Sequence, residues 1–316
     1  MLSNAKWIRA AQNLGDSPCP VFSRTFRTGG NESALTLSVT CIGIYRVTLN
    51  GKTVGNALFA PGFTSYQNRL QVQVYDLRPY AVTGENRLEI QCANGWAVGY
   101  LGRGNTRHTF ADHISLAAEL TVTAEDGTVT TVGTDESWTV HQNAIRSAEF
   151  YHGETDDFTA PDEPLGYALP DTAPPACLVP DEGVPVREIA RVHAKALIRT
   201  PKGETVIDFG QNLAGYAEIT VTGTPGSRVT VSHAETLDRD GNFYMKNLEL
   251  AECRNTYILD GKPRVLKPHF TFQGYRYIRI DEFPAGEEIR PEHFVSVAIC
   301  SDMKETGSFV CGNGKI

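Results

Sequence analysis

"TVIDFGQNLAGYAEITV", residues 205–221, admits two readings. Its Asp208-Phe209-Gly210 matches the metal-binding tripeptide of protein kinases, which would make the chain an ATP-using enzyme. That reading demands a Gly-x-Gly-x-x-Gly-x-Val loop over the phosphates, a Val-Ala-Ile-Lys strand, and a His-Arg-Asp with its Asn shortly upstream. The upstream residues are "KALIRTPKGETVI" (195–207), and none of those elements occurs in the chain. The second reading is β-structure. "ETVIDFG" (204–210) and "YAEITVTG" (216–223) read as strands flanking a turn "GQNLAG", where Gly210 and Gly215 relax the backbone and Asn212 is expected to accept a left-handed conformation.

The same period-two alternation extends in both directions. "ALTLSVT" (34–40), "YRVTLNG" (45–51), "QVQVYDL" (71–77), "NRLEIQC" (86–92), "AELTVTAEDGTVTTVG" (118–133) and "ESWTVH" (136–141) read as half-buried strands. Asn-Gly in "LNGKTVG" and Asp-Gly in "AEDGTV" mark hairpins. Beyond residue 185, "REIARVHA" (187–194), "SRVTVSHAE" (227–235), "NTYILDG" (255–261) and "FTFQGYRYIRIDEF" (270–283) continue the pattern. No dozen residues carry a helical stripe. The expected fold class is all-β: two antiparallel sandwich or jelly-roll domains, residues 1–160 and 188–300. Between them "PDEPLGYALPDTAPPACLVPDEGVP" (161–185) holds seven prolines in 25 residues, so 161–187 is expected to be an extended linker, neither central strand nor helix. Residues 301–316 form a lead-out segment. The two halves show no alignable repeat.

Bulk properties narrow the function. A net charge of −8 with no basic run argues against nucleic-acid binding, because a phosphate backbone selects clustered Lys and Arg. No window approaches the apolar run of about 20 residues that crosses a bilayer, and the first 20 residues lack a secretory apolar core. Seven scattered cysteines without a Cys-x-x-Cys fit neither a disulfide framework nor a zinc site, which places the chain in the cytoplasm with reduced thiols. Eight dispersed histidines supply no metal pattern, and "TLDRDGNFYMKN" (236–247) fails as a calcium loop because Thr236 and Asn247 occupy the first and twelfth positions. No cofactor is expected. Ca²⁺ in a β-sandwich stays open without a motif to indicate it.

Two segments have chemistry suited to sugars. "AEFYHGETDDF" (148–158) sets Glu149, Glu154, Asp156 and Asp157 beside Phe150, Tyr151 and His152. Paired carboxylates and stacking rings are what glycoside recognition and cleavage use, although a closing strand running into a solvated acidic linker would look the same. "GWAVGYLGRGN" (95–105) carries Trp96 and Tyr100 among glycines, either as a flat platform for a sugar or as a plug at the end of a sandwich. The candidate carbohydrate-contact residues are Trp96, Tyr100, Tyr151 and Glu154; no catalytic residue is assigned. The aromatic alternation in 270–280 is read as core.

Taken together, these segments resemble one family. "GIYRVTLNGKTVGNALFAPGFTSYQNRLQVQVYDL" (43–77), "GENRLEIQCANGWAVGYLG" (84–102), "DESWTV" (135–140) and "AEFYHGETDD" are similar to the N-terminal domain of bacterial α-L-rhamnosidases. "DFGQNLAGYAEITVTGTPGSRVTVSHAETLDRDGNFYMKNLELAECRNTYILDG" (208–261) with "PHFTFQGYRYIRI" (268–280) is similar to their concanavalin-like domain. Two departures are local: Thr155-Asp156-Asp157 follows Gly153-Glu154 where the family has an Asp-Ala-Arg-like run, and Asn255 stands where the family tends to have Asp.

The resemblance implies inverting hydrolysis of terminal α-L-rhamnose, carried out by an (α/α)₆ barrel that would follow "SDMKETGSFVCGNGKI" (301–316). The barrel's Asp-Cys-Pro-Gln-Arg-Asp-Glu-Arg-like stretch has no counterpart here, so the chain alone is expected to be inactive. Its expected partners are that barrel and, through the whole enzyme, rhamnosylated glycosides. An uncovered flank would favour self-association. A stand-alone carbohydrate-binding module and a scaffold without a ligand are the alternative readings.

Overall fold

In the computed structural model, which describes residues 2–11, 14–104 and 106–315, the stretch 205–221 is one continuous strand, Thr205–Val221. The expected turn is instead an irregularity between Asp208 and Leu213, where the register against strand Gln273–Glu282 shifts. Gly210 takes φ +80°, whereas Asn212 keeps negative φ, contrary to the expectation for it. The bulge changes the strand's partners. Its first part pairs with Ala196–Arg199, and its last part pairs with Phe294–Ser301 and Arg264–Leu266. Gly215 lies where the Phe294–Ser301 pairing begins, and a Cβ there would sit 1.9 Å from the Val297 carbonyl oxygen. One strand thus serves both layers of a ten-stranded sheet that curls around Ile207, Phe209, Ile219, Val231, Tyr257, Tyr275 and Phe294.

The N-terminal half is a sandwich of a six-stranded and a seven-stranded sheet. Alternation along Ala34–Ile42 and Gly84–Ala93 turns Leu35, Leu37, Val39, Leu88 and Ile90 inward, where they meet Phe22 and Trp138. The Asn-Gly hairpin forms as read: Asn50 (φ +53°) and Gly51 (φ +76°) join Ile44–Leu49 to Lys52–Val54. Among the described residues the α-helical content is a single turn, Gly95–Val98, and no helix is long and apolar enough to cross a membrane.

Hydrogen bonding crosses the expected division of the chain at two places. Residues 145–157 form a hairpin, Ile145–Glu149 and Gly153–Asp157, that belongs to the ten-stranded sheet, pairing in parallel with Arg254–Ile258. The chain then returns to the N-terminal sandwich. Within 161–187, Glu163–Tyr167 pairs with Thr139–Gln142, Leu169–Pro170 with Ile8–Arg9, and Cys177–Pro180 with Arg69–Asp76. Each lies at the end of its sheet, where proline's missing donor costs no ladder bond. The proline-rich segment is therefore edging as well as connection.

His233 lies fully buried in the curled sheet, its Nδ1 2.8 Å from the Cys253 carbonyl oxygen and its ring edge-on to Tyr275. Burial pulls its pKa from 6.5 down to about 4. The folded protein keeps this ring neutral over a range in which the unfolded chain protonates it. Unfolding therefore takes up a proton between those two values, and stability falls as pH drops through the window. The loss attributable to His233 is about 3 kcal/mol at most. Urea unfolding from pH 7 to pH 4 should show this slope, and His233→Gln should flatten it. Equal slopes for the two proteins would show that His233 is not responsible.

Candidate functional site at the junction of the two halves

The acidic-aromatic segment 148–158 lies where the two halves meet, because its hairpin leaves one and pairs in the other. Side chains on one face of Gly153–Asp157 point into the junction, so Glu154 and Asp156 are both about 1% exposed. The Glu154 carboxylate accepts the backbone N–H groups of His269 and Phe270, each at 2.8 Å, with His269 Nδ1 at 3.3 Å. Its own N–H donates to Asn255 Oδ1 at 3.0 Å. Gly153 makes this approach possible: it takes φ +104°, and a Cβ would lie 1.8 Å from the Arg254 carbonyl oxygen. Glu149, at the other end of the hairpin turn, is likewise buried and accepts from Asn94 Nδ2 (2.7 Å), Tyr100 N–H (3.3 Å) and Ser17 Oγ (3.4 Å). Burial raises the pKa of Glu149, opposed by the Asn94 amide and the Tyr100 N–H.

Beside these carboxylates lies an aromatic cluster. Trp96 packs on Phe150 at 4.5 Å between ring centroids, Phe150 on Phe59 at 5.4 Å, and Phe272 on Phe59 and Phe150 at 5.3 and 5.5 Å. Phe59 and Trp96 come from the N-terminal sandwich, Phe150 from the crossing hairpin, and Phe272 from the C-terminal sheet. Offset and edge-on contacts of this kind each add about 1 kcal/mol beyond area burial.

One donor set invites a metal reading: atoms of Glu154, Asp156 and His269 all lie within 4.8 Å of one another. Its chemistry does not fit a hard cation. Both Glu154 oxygens already accept N–H groups, and among the described residues Asp156 Oδ1, Tyr257 OH and Asn255 Nδ2 are buried without a hydrogen-bond partner. Ca²⁺ requires six to eight oxygens at about 2.4 Å. Burial, then the neighbouring Glu154, pushes the Asp156 carboxyl well up, which favours a shared proton between the two acids.

The N-terminal domain model of α-L-rhamnosidases matches residues 32–174, and the concanavalin-like domain model of bacterial α-L-rhamnosidases matches residues 198–300. The chain carries both β domains of the α-L-rhamnosidase family. An α-L-rhamnosidase of Streptomyces avermitilis is 34% identical over 78% of this chain and 25% of its own length; one of an Alteromonas species is 31% identical over 89% and 32%. The native α-L-rhamnosidase structure from Aspergillus terreus superposes with a TM-score of 0.90 at 27% identity, covering 99% of this chain and 38% of that one. The S. avermitilis enzyme complexed with L-rhamnose gives 0.83 at 29% identity, covering 91% and 29%. The chain spans about a quarter to a third of the length of the curated relatives it matches.

Within this rhamnosidase β pair the four candidate sugar contacts separate. Glu154 is sealed in the junction and presents no surface to a ligand, because folding spends its carboxylate on two backbone donors. Trp96 has its ring in the aromatic cluster rather than on a platform. Tyr100 and Tyr151 come together around the loop after Gly99. The Arg107 guanidinium covers the Tyr100 ring at 5.0 Å, and His152 meets the ring edge-on at 4.6 Å. Tyr151 OH accepts the Gly102 N–H at 3.0 Å and lines a shallow cavity of about 350 Å³ with Arg103, Asn247 and Leu250. Asn255, a departure from the rhamnosidase pattern, is a structural contact: it accepts the Glu154 N–H without placing a third carboxylate beside two buried ones. Sequence reasoning grouped Asp156 with Glu154 but missed Arg46 and His269 as their neighbours, because no local spacing relates residues brought together from three segments.

Glu154→Ala would leave two buried N–H groups without an acceptor. It should cost about 3 kcal/mol in urea unfolding, from the usual 1–3 kcal/mol per orphaned group. A loss below about 1 kcal/mol would mean that the junction does not depend on this carboxylate.

Proposed function

We propose that this chain is the non-catalytic β platform of an α-L-rhamnosidase, an enzyme that releases terminal α-L-rhamnose by inverting hydrolysis. The supporting observation is the coverage asymmetry: nearly all of this chain superposes on the Aspergillus terreus rhamnosidase but accounts for only 38% of it. The site chemistry agrees. Inversion needs a general acid and a general base facing opposite sides of a sugar, with room for a water between them. The carboxylates of the acidic-aromatic segment that flank its aromatic residues, Glu149 and Glu154, are buried and already hold backbone and amide donors. The segment after Ser301 presents Met303, Phe309 and Val310 to solvent, an apolar strip suited to a further domain or to a second copy of the chain. Seven unpaired cysteines, three of them exposed, fit a reducing compartment such as the cytoplasm.

The purified chain should show no turnover of nitrophenyl α-L-rhamnoside, whereas a polypeptide extended along the same reading frame should show it. Hydrolysis by the chain alone would overturn this reading. For carbohydrate contact we propose the cavity at Tyr151, bordered by the loop that holds Tyr100. L-rhamnose should shift the Tyr151 and Gly102 NMR signals while leaving those of Trp96 and Glu154 in place, and unshifted Tyr151 and Gly102 signals would remove the proposed contact.

A further inference from the structure

Beside His269, whose N–H the Glu154 carboxylate holds, the junction opens into a cleft of about 430 Å³. Its walls come from both halves: Arg46 on Ile44–Leu49, Arg187 and Glu188 on Val186–His193, Tyr216 on Thr205–Val221, and Lys267 and His269 following Arg264–Leu266. Three side chains with fixed positive charge therefore converge in a chain whose net charge is −8.

Arg46 is the informative member. It donates to Thr53 Oγ1 at 3.0 Å and enters no ion pair among the described residues. Burial pulls its guanidinium down from the ordinary value, and its nearest negative influences, Glu154 and Asp156, act at a distance rather than by contact. Glu154 has spent both oxygens on His269 and Phe270. A guanidinium offers five N–H groups, and a desolvated cation without a counter-ion is unfavourable unless something else meets it.

The remaining walls do not supply that counter-ion. The one carboxylate lining the cleft, Glu188, already accepts from Tyr216 OH at 2.5 Å and Lys267 Nζ at 3.1 Å. Arg187 donates one Nη to Asp302 at 2.8 Å, and its Nε has no hydrogen-bond partner among the described residues. Lys267 has a second, longer carboxylate neighbour in Glu218 at 3.7 Å. Arg46 is thus the one of the three cations without a carboxylate partner among the described residues.

We propose that this cleft binds a small oxyanion, the carboxylate of an acidic sugar or a phosphate group, held by Arg46 at its base and Lys267 at its side. The planar fork of Arg46 matches two oxygens of either group. Lys267 adds a mobile point charge, and Arg187 extends the positive field to the rim. The site draws on both halves of the chain, so an occupant would also tie them together. It is separate from the cavity at Tyr151 and stands or falls independently of sugar contact there.

The test is a titration of the folded chain, by calorimetry and by NMR, with sodium D-glucuronate, inorganic phosphate and neutral D-glucose at matched ionic strength. Glucuronate, phosphate or both should saturate with Kd below about 10 mM, and glucose should not. Arg46→Gln and Lys267→Gln should each weaken binding roughly tenfold, the scale of a lost charge-assisted hydrogen bond. Tighter binding of glucuronate would assign an acidic sugar, and equal binding would assign the bare oxyanion. Absence of binding by either anion, equal binding of glucose, or affinities unchanged in the folded variants would overturn the proposal. If Arg46→Gln does not fold, Lys267→Gln decides, because its side chain is one-third exposed and its loss leaves the core intact.

Discussion

The structure depends on a hairpin that follows one half in sequence and hydrogen-bonds in the other. Strands Ile145–Glu149 and Gly153–Asp157 leave the N-terminal sandwich, extend the C-terminal sheet beside Arg254–Ile258, and let the chain return to edge the sandwich it left. A junction built this way cannot slide without breaking a β ladder. The Glu154 carboxylate fixes the remaining freedom by holding the N–H groups of His269 and Phe270, residues more than a hundred positions away. Gly153 is the steric condition for all of it, because any side chain there would strike the Arg254 carbonyl.

Burying two acids next to one another is costly, and the surrounding side chains show how the cost is limited. Backbone donors occupy both Glu154 oxygens, while desolvation, then the neighbouring Glu154, pushes the Asp156 carboxyl well up, towards its neutral form. Asn255 contributes an acceptor without a further charge, and Arg46 supplies positive potential from across the junction. The apolar share of the interface includes the rings of Phe59, Trp96, Phe150 and Phe272, whose contacts are directional and which come from four segments of the chain. Polar contacts set the register of the junction, and the rings pack with buried aliphatic side chains such as Ile44, Ile145, Val297 and Ile299 to complete it.

Much of the fold was legible because β alternation is local. The strands at 34–42, 84–93 and 228–234 lie close to where period-two patterning puts them, and Asn50-Gly51 turns as its dihedral preferences require. What was not legible depends on distant pairing. Nothing within 145–157 indicates that its partner is 254–258, since a parallel strand pair carries no turn signal between its members. The proline-rich stretch looked like linker because proline is excluded from central strands, yet the same chemistry permits an edge, and edges are where it lies. The candidate site divided along the same line. Tyr100 and Tyr151 remain near a surface, whereas Trp96 and Glu154, chosen for their sugar-like chemistry, were drawn into the junction. A ring or a carboxylate is equally suited to a ligand and to an interface, and only tertiary placement distinguishes the two.

The tripeptide Asp208-Phe209-Gly210 makes the same point at the scale of three residues. In a kinase the aspartate must keep its oxygens free for a metal. Here Arg276 takes both of them through parallel N–H bonds at 2.8 Å, and Gly210 N–H takes one again at 2.6 Å. Phe209 is fully buried against Tyr275, and Gly210 adopts the positive φ that starts the bulge. Each residue serves the strand's change of partners: the aspartate anchors it to the neighbouring strand, the phenylalanine seats it in the core, and the glycine bends it. The bend in turn lets one strand belong to two layers, and the curled sheet that results presents the edge on which the N-terminal hairpin docks.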